Sequence, residues 1–438
     1  MLKSGLRVAF TGDSLITRGL MHNQDDATRT MYDLVRDSHV GFTNLETVPN
    51  NFVGYPVEES GGSHLGAHEW VLDELAAGGF NLLGAANNHS LNYGVIGLLE
   101  LMDILKRRNV RYSGIGANLA EARAPVYLDT DAGSVALLSC ASTFARGQQA
   151  SEQRPDVQGR PGLNPLRYST TYTLTEDQMR VIQQIAEQLG MERKRLERIQ
   201  LGFGFPPDDP DVFPFLNEKF KAGEETTSTT APDERDLEAI ASWVGECRAR
   251  ADIVIVSIHA HEDGGDKETP AEFIRTFARR MIDEGAHIVV GHGPHLLRGL
   301  EMYKGAPIFY SLGNFVGQNE LTFKLPSDSY ETFRIDRDSH AGQLFHQRSQ
   351  GGEKGFPADV RYWQTLLPVC VWEDRSLKSI DIYPVSLQLG DRPADRGRPT
   401  LADSEEAAQI IERFTRLSAD LGTNIDEEPL VNLRQPAG

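Results

Sequence analysis

Carboxylate, amide and imidazole side chains follow five short apolar segments of this 438-residue chain. Two of these segments lead into a single acid, a third leads into two amides and a histidine, and the last two lead into paired histidines. The residues at these positions are Asp13, Glu46, Asn87, Asn88, His89, His259, His261, His292 and His295. Taken singly, Asp13 could cap a helix and Glu46 could be an ordinary exposed acid. Two pairs of histidines, each after a strand-like segment, favour a metal site over a structural role.

These residue types together indicate metal-assisted hydrolysis. Carboxylate oxygen, amide oxygen and neutral imidazole suit manganese, iron, zinc or cobalt. Five or six such ligands are enough for two ions, and a bridging carboxylate can hold the ions about 3.5–4 Å apart. Glu46 is the best candidate for the bridge. We therefore predict two divalent metal ions, with manganese as the first choice.

The elements that must position these residues follow an α/β pattern, in which short apolar strands alternate with amphipathic helices. The predicted strands cover residues 7–11, 40–44, 81–86, 134–139, 252–258, 286–291, 307–310 and 367–372. The predicted helices cover residues 67–77, 94–108, 233–250, 271–284 and 404–421. In open α/β sheets ligands gather beyond the carboxyl ends of the strands, which is where the candidate residues lie. His39 and His287 precede strands instead and are predicted to be structural.

Two stretches interrupt the pattern within a single predicted domain that spans residues 1–438. Residues 148–230 are interpreted as an insertion with one helix at residues 176–188, and its phenylalanines favour a packed lid over the site. A surface decoration or an oligomer contact is the alternative. Residues 323–355 are polar and irregular, and they are predicted to form a mobile loop.

Composition excludes several classes of partner. The net charge of −19 argues against general binding to nucleic acid or to an anionic membrane surface. The three cysteines form no CxxC pair, so neither a thiolate zinc site nor a disulfide framework is indicated. No apolar run approaches the about 20 residues of a membrane span, and the start lacks a secretory signal pattern. We expect a cytoplasmic protein that acts on a small or short peptide-like substrate, without nucleic acid or membrane as a partner.

Three sequence segments resemble the CapA-type poly-γ-glutamate capsule proteins, a branch of the calcineurin-like metallophosphatase superfamily. The segments read ANNHSLNYG at residues 86–94, VGHGPHLLRGLE at residues 290–301 and IFYSLGNFV at residues 308–316. The resemblance extends over residues 7–143 and 252–315. It implies a four-layer αββα sandwich. The metal ligands that it implies are Asp13, Glu46, Asn88, His259, His292 and His295.

The resemblance also implies roles for neighbouring residues. His89, beside the ligand Asn88, would be the general acid or the group that stabilises the transition state. Asn44 and Asn87 would lie behind the ligands or against the substrate. Leu15 stands where the superfamily usually has a histidine, so the first ion would have fewer protein ligands.

A second departure concerns the segment after the fourth ligand. The CapA branch usually shows HWGxE, whereas this chain has His259-Ala-His261-Glu-Asp263. His261 could therefore supply a third imidazole, and His261 or Asp263 could contact the substrate.

The function that follows is hydrolysis of an amide or peptide-like bond, of the γ-glutamyl type, by metal-activated water. His89 or His261 would protonate the leaving nitrogen. Arg298 could bind a carboxylate of the substrate, although most arginines are surface residues. The alternatives are phosphoester hydrolysis on the same metals, and a non-catalytic subunit of poly-γ-glutamate synthesis or export.

Overall fold

The computed structural model describes residues 5–22, 25–390 and 392–434. The strands in these ranges are β1 (Leu6–Leu15), β2 (Val40–Leu45), β3 (Leu82–Gly84), β4 (Arg111–Ser113), β5 (Ile115–Gly116), β6 (Val126–Thr130), β7 (Gly133–Ala141), β8 (Gly162–Leu163), β9 (Tyr168–Leu174), β10 (Phe213–Phe215), β11 (Glu218–Ala222), β12 (Thr227–Pro232), β13 (Ile253–His259), β14 (Ile288–His292), β15 (Leu300–Tyr303), β16 (Ala306–Phe309), β17 (Asn314–Gly317), β18 (Gln364–Glu373), β19 (Ser376–Ser386), β20 (Thr400–Leu401) and β21 (Val431–Leu433). The helices are α1 (Asp26–Arg36), α2 (Val71–Ala77), α3 (Gly94–Arg107), α4 (Leu119–Arg123), α5 (Glu176–Gln188), α6 (Met191–Gln200), α7 (Glu234–Arg250), α8 (Glu272–Glu284), α9 (Ser327–Thr332), α10 (Ala341–Arg348) and α11 (Ser404–Asp420). Short 3-10 helices cover Asn319–Leu321, Phe356–Ala358, Val360–Trp363 and Ile425–Glu427.

Two large sheets carry the strands that were predicted to bear the site. The first has the strand order β20-β19-β18-β1-β2-β3-β4, with β17 also paired to β1 and β21 also paired to β19. The second has the order β15-β16-β14-β13-β7-β6. Strands β1 to β4 are parallel in the first sheet, and β7, β13, β14 and β16 are parallel in the second. The carboxyl ends of the parallel strands in each sheet therefore lie at one edge.

Three apolar clusters separate four layers. Between the sheets, Phe10 and Phe42 from the first sheet share a buried cluster with Ile255 and Val290 from the second. Helices α1, α2 and α3 cover the outer face of the first sheet, and α7 and α8 cover the outer face of the second. Burial of each large apolar side chain stabilises the folded state by about 1.5–3 kcal/mol. The order of layers is helix, sheet, sheet, helix, and the predicted four-layer sandwich is confirmed.

Helix α8 illustrates how the outer layers are specified. Phe273, Phe277 and Met281 recur at helical spacing and are all fully buried. The helix ends at Gly285, whose φ of 115° lies in the left-handed region that favours glycine. Within the part of the chain that the structure describes, no helix has both the length and the apolar content needed to cross a membrane.

The insertion at residues 148–230 contains a small sheet of its own, with the strand order β10-β11-β9-β12. It packs on helix α8, where the Tyr168 and Phe273 rings stack with centroids 4.3 Å apart. The backbone N–H of Phe273 also donates to Thr230 Oγ1 at 3.1 Å. The predicted helix at residues 176–188 is present as α5. The insertion therefore extends the outer layer of the second sheet.

The stretch at residues 323–355 differs from the prediction of an irregular loop. It contains helices α9 and α10, and Tyr330, Leu344 and Phe345 form a buried apolar cluster of their own. Leu344 and Phe345 are adjacent and Tyr330 lies 14 residues before Leu344, so this polar stretch has no helical periodicity that sequence reasoning could detect.

Candidate metal centre

Asp13 is positioned by a close backbone contact. It lies in β1, and its backbone N–H donates to Gly313 O at 2.8 Å. A Cβ atom at Gly12 would lie 1.9 Å from the same Gly313 oxygen, so only glycine permits this approach. Asp13 is completely buried as a result.

The other candidate ligands also come from strand ends. Glu46 follows β2 and Asn88 follows β3 at the same edge of the first sheet. His259 and His292 are the last residues of β13 and β14, and they are paired in register across the second sheet. His295 follows in a left-handed conformation with φ of 62°.

Asp13 and the histidines of the second sheet converge. Asp13 Oδ1 lies 3.6 Å from His259 Nδ1 and 3.8 Å from His292 Nδ1. Asp13 Oδ2 lies 3.7 Å from His295 Nδ1. Asn44, predicted to lie behind the ligands or against the substrate, donates from Nδ2 to Asp13 Oδ1 at 2.7 Å. It therefore orients the Asp13 carboxylate from behind.

Glu46 lies at the centre of a second group of imidazoles. Its Oε1 is 3.6 Å from His89 Nε2, and it is 3.8 Å from His259 Nε2 and 3.7 Å from His295 Nε2. Ligand atoms of Glu46, His261 and His295 all lie within 4.8 Å of one another, a cluster that could hold a metal ion. His261, predicted as a catalytic residue, is thus placed among the ligand atoms.

The donor atoms in this region fit a bound cation. Both carboxylate oxygens of Glu46, Asn88 Oδ1 and both ring nitrogens of His292 are buried without a hydrogen-bond partner among the described residues. Leaving a buried polar atom unpaired costs about 1–3 kcal/mol. A cation would satisfy the oxygens of Glu46 and Asn88 and the one unprotonated nitrogen of His292. Carboxylate, amide oxygen and imidazole are suitable ligands for a divalent metal.

Burial keeps the imidazoles in the form that binds metals. It lowers the pKa of His89 to about 3 and the pKa of His292 to about 4. The pKa values of His261 and His295 are lowered for the same reason. These rings are neutral at pH 7 and therefore retain a free lone pair.

The two carboxyl groups have opposite shifts. Burial alone would raise the pKa of Asp13, but the hydrogen bond and charges of the neighbouring histidines hold it below its usual value. Burial and the nearby Asp13 charge raise the pKa of Glu46 well above its usual value. Without a cation, ionisation of both carboxyl groups in the centre is therefore unfavourable.

His89 is held in a defined orientation. Its Nδ1 lies 2.8 Å from Asn92 Oδ1, and the same oxygen accepts a hydrogen bond from the backbone N–H of Leu65 at 3.0 Å. Asn92 Oδ1 is therefore an acceptor, so His89 Nδ1 carries the proton and Nε2 has the lone pair. His89 Nε2 faces Glu46 and the cavity described below.

Asn87 is expected behind the ligands or against the substrate, and Asp263 is expected to contact the substrate. Asn87 Nδ2 donates to Leu45 O at 2.8 Å, and Asn87 Oδ1 accepts from the backbone N–H of His89 at 3.1 Å. Asn87 therefore fixes the turn after β3. Asp263 is exposed and accepts a hydrogen bond from the backbone N–H of Gly265 at 3.1 Å. Neither side chain is among the described residues that line the cavity beside the centre. Asn87 therefore lies behind the candidate ligands, and a substrate contact by Asp263 stays a prediction.

Arg298, a candidate for binding a substrate carboxylate, contacts backbone oxygens of the protein. The side chain is fully buried, and it donates to the backbone oxygens of Lys267 at 3.0 Å and Glu262 at 2.9 Å. A guanidinium surrounded by carbonyl groups has few donors left for a substrate. Arg298 instead fixes the loop that carries His261 and Lys267.

Asn314 is a residue of the site that sequence reasoning did not single out. Its Oδ1 lies 2.8 Å from His295 Nδ1, while its Nδ2 donates to Tyr362 O at 3.2 Å. The signal was present in the segment YSLGNF, where an asparagine begins a buried strand directly after Gly313. Asn314 determines which nitrogen of His295 is free to act as a ligand.

A cavity of about 430 Å³ opens beside the centre, with His89 and His295 in its wall. Most of its other walls come from residues 319–362, including Phe345 from helix α10 and Phe356. Among the described residues, none of those that line the cavity belongs to the insertion at 148–230. The insertion packs on α8, whereas residues 319–362 form most of the cavity wall.

Comparisons with known proteins identify a family and several relatives. The model of a family described as bacterial capsule synthesis protein PGA_cap matches residues 7–319. An uncharacterised protein of Sinorhizobium fredii, y4uA, is 34% identical over 439 residues, which cover 98% of this chain and 93% of that protein. The capsule biosynthesis protein CapA of Bacillus anthracis is 26% identical over 253 residues, which cover 58% of this chain and 44% of that protein.

Among solved structures, a hypothetical protein from Thermus thermophilus aligns with a TM-score of 0.40 at 12% identity, covering 86% of this chain and 98% of that chain. This likeness is too weak to support a fold assignment, which depends on the strand order and layers described above. The family match covers all the strands that deliver the metal centre, from β1 to β17. The chain therefore belongs to the PGA_cap family of bacterial capsule synthesis proteins.

Proposed function

We propose that this protein is a metal-dependent hydrolase that holds two divalent cations and cleaves an amide bond of the γ-glutamyl type in a carboxylate-bearing substrate. The observation that carries the proposal is the set of buried, unpaired ligand atoms on Glu46, Asn88 and His292 beside a cavity. Buried polar atoms without hydrogen-bond partners destabilise the folded protein unless a bound ligand satisfies them. Membership of a capsule synthesis family supports a γ-glutamyl substrate.

The protein ligands divide between the two sheets. Asp13, Glu46 and Asn88 come from the first sheet, and His259, His292 and His295 come from the second. His261 lies with Glu46 and His295 and would be a seventh candidate ligand, which supports the third-imidazole alternative over proton transfer. When bound, the cations would supply Lewis acidity and lower the pKa of a water molecule, with manganese as the first choice.

The side chains around the cavity would supply the remaining chemistry. Hydrolysis adds water to the amide carbon, breaks the C–N bond and delivers one proton to the leaving nitrogen. His89 Nε2 is unprotonated and lies beside the cavity, so it would take up a proton from the attacking water and pass it to the leaving nitrogen. Asn92 holds the ring in place throughout, because it accepts the hydrogen bond from Nδ1.

The proposal is tested by removing ligands. We expect His292→Ala and His295→Ala to lose bound metal and to lower turnover by more than about 100-fold, since residues behind the ligands alone account for up to that loss. Metal content is measured by elemental analysis. Turnover is measured with γ-glutamyl amides and with aryl phosphates, in added manganese. His346→Ala is the matched control, because His346 is exposed on α10 and does not line the cavity.

Each outcome discriminates between functions. The proposal is supported if the wild type cleaves the amide and both variants lose bound metal and amide cleavage. Cleavage of aryl phosphates alone would assign a phosphoesterase. Metal binding without turnover of either substrate class would favour the non-catalytic role in capsule synthesis. Full metal content and turnover in both variants would refute the metal centre.

A further inference from the structure

The charges that line the cavity are unbalanced. Its two acids are already paired, because Glu320 accepts a hydrogen bond from Arg396 at 3.1 Å and Asp359 accepts one from Arg361 at 2.7 Å. Of the cations in the lining, Arg361 is therefore neutralised by its partner. Both acids that line the cavity therefore have an arginine partner within the protein.

Three other cations line the same cavity: Lys267, Arg348 and Lys354. Within residues 5–22, 25–390 and 392–434, no carboxylate oxygen lies within 4.0 Å of any of these three charged groups. Arg348 donates only to neutral oxygens, Ser63 Oγ at 3.2 Å and Gly62 O at 3.3 Å. The chain as a whole carries a charge of −19, so an excess of positive charge in one cavity departs from the average surface. Such an excess attracts and concentrates anions.

Lys267 is the cation whose position is best defined. Its Nζ donates to the hydroxyl group of Tyr362 at 2.8 Å and lies 5.5 Å from the centroid of that ring. The backbone oxygen of Lys267 is held by buried Arg298 at 3.0 Å. Both ends of the residue are therefore restrained before any ligand binds, which lowers the entropic cost of binding.

A continuous aromatic wall connects Lys267 to the metal centre. Phe356 stacks on Tyr362 with ring centroids 4.3 Å apart, and it lies 5.1 Å from the ring of His295. A substrate that reaches the centre can therefore lie along this wall with an anionic group at Lys267.

We propose that Lys267, with Arg348 and Lys354, binds a carboxylate of the substrate and makes the cavity selective for anionic substrates. This inference rests on the proposed hydrolase function, because it assigns specificity within the same cavity. Lys267 is the principal contact, since its ammonium group keeps two free N–H donors after the bond to Tyr362. Arg298 acts as a positioning residue, because it holds the Lys267 backbone without reaching the cavity.

The experiment compares two dipeptides that differ only in one charge. γ-Glutamylglutamate and γ-glutamylglutamine are titrated into the manganese-loaded protein by calorimetry under conditions without turnover, at low and high salt. We expect the wild type to prefer the glutamate form, and Lys267→Met to weaken its binding about tenfold while leaving the glutamine form unchanged. Lys267→Arg should restore part of the preference. Lys378→Met removes a lysine from an exposed position in β19 outside the cavity and should behave as the wild type.

The outcomes separate this inference from the proposed function. A preference that is unchanged in Lys267→Met, or a wild type that binds neither dipeptide, would overturn the carboxylate site. Titration with inorganic phosphate provides a second arm: if Lys267→Met weakens phosphate binding but not the preference between dipeptides, the site binds phosphate and the carboxylate assignment is wrong. Cleavage of the two dipeptides is measured separately, in the turnover assay described above. If the preference depends on Lys267 but neither dipeptide is cleaved in that assay, the carboxylate site stands and the amide hydrolase function is refuted.

Discussion

Amide side chains orient the ligands of the metal centre. Asn44 donates to Asp13, and Asn314 Oδ1 accepts the proton of His295 Nδ1, so the Nε2 lone pair of His295 points toward Glu46. These contacts fix the geometry of the ligands before a cation binds. Residues that orient metal ligands in this way contribute strongly to metal affinity.

Asn314→Ala tests this role at the scale of one residue. We expect the variant to bind metal about 10–100-fold more weakly, because the His295 ring loses its acceptor and can rotate. The measurement is competition with a chelator of known affinity. Asn432→Ala serves as control, since Asn432 lies in β21 and donates to Asp381 far from the centre in sequence. Equal affinities in the two variants would show that Asn314 has no part in metal binding.

His287 provides a pH-dependent contribution to stability away from the ligands. Its Nδ1 accepts a hydrogen bond from the backbone N–H of Val254 at 3.0 Å, which requires a neutral ring at that nitrogen. Burial, with the nearby charges of Arg248 and Arg375, lowers its pKa from 6.5 to about 4. Between these values the unfolded chain binds the proton and the folded chain does not. Stability therefore falls as pH falls through this window.

We expect the contribution of His287 to the free energy of unfolding to decrease by up to roughly 3 kcal/mol between pH 6.5 and pH 4. The variant His287→Asn lacks this titration, so the stability difference between wild type and variant should shrink on acidification. Denaturant unfolding of both proteins, loaded with the same metal, measures the difference at each pH. Parallel curves over the window would contradict the assignment.

At the scale of elements, two segments close the cavity together. The loop at residues 57–65 contacts the centre, because a Cβ at Gly61 would lie 2.5 Å from Asn88 Nδ2. His64 is buried in the same loop, and both of its ring nitrogens are within hydrogen-bond distance of a partner. Nε2 lies 2.7 Å from Val57 O, and Nδ1 lies 3.3 Å from Ser329 Oγ in α9. The loop and the helices α9 and α10 therefore form one wall, tied by a few hydrogen bonds.

His64→Ala should loosen this wall without affecting the metal ligands. Loss of the two hydrogen bonds is expected to lower the local opening free energy by roughly 1–2 kcal/mol, or about 5–30-fold in exchange rate. Hydrogen exchange in α9 and α10 measures the change, and metal content should remain that of the wild type. His346→Ala, an exposed histidine of α10, is the control. Unchanged exchange in His64→Ala would mean that other contacts hold the wall.

At the scale of the whole molecule, residues 148–166 contact the sandwich, where β8 pairs with β5, and residues 168–232 form a separate segment. Its two ends meet, because the backbone N–H of Asp233 donates to Arg167 O at 2.7 Å. Tyr168 and Pro232 are likewise paired where β9 and β12 begin and end. The intervening residues leave the sandwich and return to the same place.

Replacing residues 168–232 with a short Gly-Ser linker should therefore preserve metal content and turnover. We expect a moderate loss of thermal stability, about 0.5–1.5 kcal/mol of it from the Tyr168–Phe273 stack. Tyr168→Ala measures that part alone. Elemental analysis, turnover and thermal unfolding are compared across the two variants. Loss of bound metal after excision would show that the insertion supports the centre after all.

The sequence by itself determined the α/β class and the polar residues at the strand ends, and the family resemblance implied the layer order. Residues such as Asp13 and His292 follow apolar runs directly, and parallel strands bring their carboxyl ends to one edge, so adjacency along the chain predicts convergence in space. The tertiary structure alone decided the contacts of His261, Asn314 and Arg298. These depend on which atoms a side chain meets after packing, and residue type does not specify that.

The walls of the cavity were likewise decided only in three dimensions. Residues 319–362 reach the centre through the small cluster of Tyr330, Leu344 and Phe345 and through contacts with the loop at residues 57–65. Long-range contacts of this kind leave no local periodicity in a polar sequence. The insertion at residues 148–230 has a clear helical pattern and many aromatic residues. These residues pack within the insertion and on α8, and their pattern does not predict where the insertion lies relative to the centre.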